Sequence, residues 1–120
     1  MTRCYNILQV FLRLEADEEL ISTFDLLYGD FKGETPGHAP SLFLRASTNN
    51  NRTRIQSPWG EISCANEEAI VFLMFLMQNH LLRCVREFFA VHAACAALRG
   101  RSVVLAGGAG AGKSTLAAEL

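Results

Sequence analysis

Near the start of the chain, Leu8, Val10, Leu12 and Leu14 alternate with Gln9, Phe11, Arg13 and Glu15. A period of two puts the leucines and the valine on one face of an extended segment, so a single strand is predicted over residues 4–15. Asp17 is placed to cap a helix, with Glu18 and Glu19 in its electropositive first turn and Leu20, Phe24 and Leu27 on one side. That helix is expected to end near Gly29. Residues 30–40 turn to Gly, Pro, Thr and His, which is loop chemistry. "SLFLRAS" then reads as a strand and "TNNNRTR" as a polar turn, with residues 54–56 beginning the next strand. Asn66, with Glu67 and Glu68 behind it, marks a second helix start. The apolar pattern from Ala69 to about Val85 makes this the principal helix, and its nearly all-round apolar first half predicts burial on more than one side. "FFAVHAACAAL" and "SVVLAG" are both strand-like, and Arg99-Gly100 between them supplies a tight turn. The expectation is a hairpin.

The second strand of that hairpin leads into Gly107-Gly108-Ala109-Gly110-Ala111-Gly112-Lys113-Ser114, which fits G-x-x-x-x-G-K-[ST] at every fixed position. The context is the one the motif requires, an apolar strand before it and the helix-forming "TLAAEL" after it. Glycines allow successive backbone N–H groups to converge on a phosphate without Cβ clashes. Lys113 is suited to bridge β- and γ-phosphates, and the Ser114 hydroxyl to ligate Mg²⁺. Thr115 is expected to cap or pack the helix start. ATP and Mg²⁺ are the implied cofactors. Val103, Val104 and Leu105 are apolar in succession, as in a strand covered on both faces, so residues 102–106 are expected to be a central strand of the complete nucleotide-binding sheet, whose C-terminal part is missing from these residues. The predicted class is therefore α/β: a small mixed α+β part over residues 1–87, then the start of a P-loop domain over 88–120.

Composition trims this picture more than it adds to it. The 120 residues carry 11 basic and 12 acidic side chains, so no polycation for nucleic acid is present. The longest apolar run, residues 69–77, is shorter than the ~20 residues a membrane span needs. Asn6, Gln9 and Arg13 interrupt the apolar start, unlike a signal peptide, which points to the cytoplasm and makes the sequon at Asn51 incidental. Cys4, Cys64, Cys84 and Cys95 lack zinc-ligand spacing and read as reduced, mostly buried thiols. Arg45, Arg52 and Arg54 could hold an anionic substrate, although arginines on the surface of a small sheet have the same pattern.

"VHAACAALRGRSVVLAGGAGAGKSTLAAEL" is similar to the start of the nucleotide-binding domain of the HPr kinase/phosphorylase-related family, whose fold is shared with phosphoenolpyruvate carboxykinase. The similarity is carried by the "HAA" segment opened by His92, the Gly100-Arg101 turn, the apolar strand and the loop about fifteen residues beyond the histidine. It covers the last thirty residues. The resemblance implies an ATP-dependent kinase acting on a serine of a protein or peptide, with His92 near the reacting phosphate beside Lys113 and Ser114. Thr115 stands where authentic HPr kinases usually carry an acidic residue, which weakens HPr itself as the substrate. A magnesium-orienting acid on a later strand is not found after the loop, and Asp17, Asp25 and Asp30 all precede it. The sequence thus reads as the front portion of a longer kinase. Two alternatives stay open: a transporter-type ATPase, whose adenine-stacking aromatic would correspond to Phe88 or Phe89, and a non-catalytic nucleotide-binding or interaction module. Neither the phosphate acceptor nor the oligomeric state follows from the sequence.

Overall fold

A computed structural model describes residues 1–34, 37, 40–87 and 89–120. The chain divides into two compact units, Met1–Arg86 and Glu87–Leu120, and it is mixed α/β.

The first unit is a five-stranded sheet in the order β1-β2-β3-β4-β5. β1 (Thr2–Ile7) and β2 (Val10–Glu15) form an antiparallel hairpin, with Tyr5 opposite Leu12 and Ile7 opposite Val10. The single strand expected over 4–15 is thus broken at Leu8 and Gln9. Both adopt positive φ, 49° and 66°, and that left-handed pair reverses the chain as in a two-residue hairpin loop. α1 (Glu18–Tyr28) follows as expected: the Asp17 side chain accepts from the Leu20 N–H at 2.8 Å, and Glu18 and Glu19 occupy the first turn. It serves as the crossover that a parallel pairing needs, since β2 then lies parallel to β3 (Leu42–Asn49), with Leu12 opposite Leu42 and Leu14 opposite Leu44. β4 (Arg52–Ser57) and β5 (Gly60–Ala65) complete an antiparallel meander.

Alternation sends Tyr5, Leu12, Leu14, Leu44, Ala46, Ile55 and Cys64 to one face, where they form one core with Ile21 and Phe24 of α1 and with Ala69, Leu73 and Met77 of α2 (Ala69–Cys84). Each large side chain buried there contributes roughly 1.5–3 kcal/mol. Tyr5, Phe24 and Tyr28 pack in sequence as tilted rings, with centroids 5.0 and 4.8 Å apart. The Tyr5 hydroxyl reaches the Asp25 carboxylate at 2.7 Å, and Lys32 and Arg3 pair with the same carboxylate at 2.9 and 3.3 Å.

The helical segment begins at Asn66 as expected, with a 3-10 turn, Asn66–Glu68, that runs directly into α2; the Asn66 side chain accepts from Thr53 at 2.9 Å and donates to the Asn50 carbonyl at 2.7 Å, clipping that turn to the β3–β4 turn. One expectation for α2 is corrected: the helix is not buried on more than one side. Val71, Phe75 and Leu82 are exposed, because the sheet and α1 meet it along the Leu73–Met77 side alone. Among the described residues no helix is long and apolar enough to cross a membrane.

The second unit consists of β6 (Ala93–Leu98) antiparallel to β7 (Arg101–Ala106), followed by α3 (Lys113–Glu119). Arg99 and Gly100 turn with φ of 52° and 76°, as the sequence predicts. The first strand is shorter than "FFAVHAACAAL" suggested and begins only at Ala93. Among the described residues β7 pairs with β6 alone, and Val103 and Val104 are exposed.

Candidate functional site

The loop at residues 107–112 joins β7 to α3. Gly110 and Gly112 have φ of 80° and 84°, a region that residues with a Cβ seldom adopt, so the backbone itself requires one fixed glycine of the motif, Gly112, and one at a variable position, Gly110. Gly107 is constrained differently: a Cβ there would lie 3.3 Å from that of Ala111. The loop is closed by the Ala111 N–H donating to the Gly108 carbonyl at 3.2 Å.

Lys113 folds back over this loop. Its Nζ donates to the carbonyl oxygens of Gly107 and Gly108, both at 2.9 Å. The two contacts tie the half-buried Lys113 side chain to the start of the loop. Gly112 is the residue preceding α3, and its carbonyl accepts from Leu116 at 3.0 Å. Ala109, Ser114 and Thr115 are exposed. Thr115 does not cap the helix, since no side chain bonds to its start.

His92 is exposed and lies outside the strand. It precedes the Ala93–Ala106 pair, so the hairpin register puts it at the end of the ribbon from which the loop departs. No hydrogen bond joins it to Lys113 or Ser114 among the described residues. Of the two aromatics considered for adenine stacking, Phe88 lies outside the described residues, and Phe89 is 90% exposed.

The acids of the first unit have other duties. Asp25 is the hub of the Tyr5, Lys32 and Arg3 contacts. Burial raises its pKa, but the hydrogen bonds from Lys32 and Tyr5 and the charges of Arg3 and Lys32 outweigh this and hold it below the ordinary carboxylate value. The same contacts act oppositely on Tyr5: burial first, then the bond to Asp25, push its hydroxyl well above the usual range. Asp17 caps α1 and also accepts from Thr48 at 2.7 Å. It lines a cleft of about 430 Å³ with Thr53 and Asn66, whose polar atoms bond to one another and so hold the two helix starts against the sheet. Among the described residues no three His, Cys, Asp or Glu side chains converge on one point. The thiols also depart from expectation: Cys4 and Cys64 are buried, whereas Cys84 and Cys95 are exposed.

No protein-family model, curated protein or solved structure matches this chain.

Proposed function

We propose that residues 107–114 bind the phosphates of ATP·Mg²⁺, and that in the working protein this serves transfer of the γ-phosphoryl group to a serine hydroxyl of a protein or peptide. The observation that carries the reading is Lys113 Nζ drawn onto the carbonyls of Gly107 and Gly108 within a strand-to-helix loop that fits the motif at every fixed position. The roles follow from chemistry. Loop N–H groups receive the β-phosphate oxygens, Lys113 spans the β- and γ-phosphates, and Ser114 offers one oxygen to Mg²⁺. A cation held in part by Ser114 would supply neutralisation of the charge that develops between the phosphates. In the transfer, the serine Oγ–phosphorus bond forms as the bond to the ADP oxygen breaks, and the serine proton leaves with a base. His92, at the loop end of the ribbon, is the residue assigned to that neighbourhood.

Calorimetric titration of the chain with ATP·Mg²⁺ tests the binding step. Lys113→Ala removes two charge-assisted contacts worth ~1.5–3 kcal/mol each, so affinity should fall by roughly 100-fold or more. Equal affinity in parent and variant would sink the proposal. His92→Ala should bind ATP as the parent does and lower phosphate incorporation into serine peptides; unchanged turnover would remove it from the reaction.

The exposure of Phe89 favours a second reading, a transporter-type ATPase with the ring stacked on adenine. Phe89→Ala should then weaken ATP at least tenfold while leaving inorganic triphosphate unaffected.

A further inference from the structure

The face of the five-stranded sheet opposite the core carries the three arginines that the sequence singled out, and the structure separates them. Arg45 is consumed locally: it pairs with Glu15 at 3.0 Å and lies over the Phe43 ring at 5.4 Å. Arg52 and Arg54 instead stand two residues apart on β4, in a cleft of about 460 Å³. Ser47, Arg54 and Ser63 occupy one rung across β3, β4 and β5, and Asn49 and Arg52 the next. The turn at 50–51 forms the rim and is fixed by the Asn66 amide on the Asn50 carbonyl.

Every residue lining this cleft offers a hydrogen-bond donor, and none is acidic. The guanidinium groups are held in place. Arg52 donates from Nε to Ser63 Oγ at 3.3 Å and from one terminal nitrogen to the Ser63 carbonyl at 2.8 Å, while Arg54 Nε faces Glu61 at 3.1 Å. The second terminal nitrogen of Arg52 and both of Arg54 have no partner among the described residues. Glu61 offsets one of the two charges, so the cleft stays positive in a chain whose formal net charge is −1.

We propose that this cleft is a binding site for a phosphoryl oxyanion, either free phosphate or a small phosphate monoester. Two anchored guanidinium groups meet adjacent oxygens of one tetrahedral anion, and the serine hydroxyls and asparagine amides take the others. It is independent of the loop at 107–112.

The test is an amide and arginine Nε NMR titration of the full chain with sodium phosphate and with glycerol 3-phosphate, chloride being exchanged to hold ionic strength constant. Saturable shifts are expected at Asn50, Arg52, Arg54 and Ser63. The double variant Arg52→Gln with Arg54→Gln should weaken them at least tenfold, and Arg52→Lys with Arg54→Lys should restore part of the loss, which separates lost recognition from lost folding. Lys113→Ala should leave these shifts as they are, so the cleft and the loop succeed or fail separately. Equal saturation by both probes identifies the oxyanion itself as the ligand, and tighter glycerol 3-phosphate binding identifies a monoester. No saturable shift in the parent chain with either probe, or an unchanged response in the glutamine variant, overturns the proposal.

Discussion

Leu8 and Gln9 form the turn of the first hairpin with φ of 49° and 66°, and neither residue type favours that region, where L-residues other than Gly, Asn and Asp meet their own carbonyl. Leu8 is 60% exposed, so its side chain gains little in return. Leu8→Asn with Gln9→Gly should therefore stabilise the first unit by ~1–2 kcal/mol. That corresponds to a rise in Tm of about 4–8 °C per kcal/mol for a domain of this size; an unchanged or lower melting temperature would contradict it. Asp25 gives an acid limb to stability. Its folded pKa lies below the ordinary 3.8, so as pH falls the unfolded chain takes up the proton first. The stabilisation is complete above about pH 4 and is lost as pH drops through the folded value. Urea midpoints measured between pH 2 and 7 should show this limb, and Asp25→Asn should flatten it. Tyr5 works in the opposite direction. Its folded pKa is raised, so the contribution present below pH 10 is lost as the solution becomes more alkaline.

At the scale of elements, α2 is two-sided. Leu73 is fully buried, and Leu73→Ala should cost ~2–5 kcal/mol. Phe75→Lys, on the exposed side of the same helix, should change stability by less than ~0.5 kcal/mol. Equal effects in denaturant unfolding would show that the Phe75 side is covered in solution. The comparison also marks what the sequence can reveal. α1 was legible because its cap is local, with Asp17 three residues from the N–H it accepts. The strand-turn-strand around Arg99-Gly100 was legible because Gly marks the turn, and Gly100 takes a positive φ. The break at Leu8 and Gln9 was hidden, since their alternation continues through a turn with no Gly, Asn or Pro to mark it. β5 was also missed: Ile62 and Cys64 are its inward apolar residues, too few to stand out in "GEISCA". Burial on one side of α2 could not be read at all, because it depends on how much neighbouring surface the fold provides. His92 falls outside β6 because the Arg99-Gly100 turn sets the register so that pairing ends at Ala93.

Across the whole molecule, stability is unevenly distributed. The core belongs to Met1–Arg86, while no described residue of Glu87–Leu120 is buried. Amide hydrogens of β6 and β7 should exchange much faster than those of β2, β3 and β4, since protection follows buried apolar contact. Comparable protection in both units, read by mass spectrometry or NMR, would contradict this. ATP at saturating concentration should slow exchange in residues 107–116 and leave β3 unaffected, if the loop binds as proposed. The one parallel pairing in the sheet, β2 beside β3, has a consequence for the order of folding. Every other strand pair is a hairpin closed by a two-residue turn, whereas Leu14 and Leu44 meet across thirty residues of chain. Hairpins close in microseconds, but this seam must first overcome the entropy of a long loop. The seam should therefore be the late, rate-limiting junction between two preformed ribbons, β1–β2 and β3–β4–β5. Leu44→Ala, which weakens the seam as it forms, should slow refolding in stopped-flow traces.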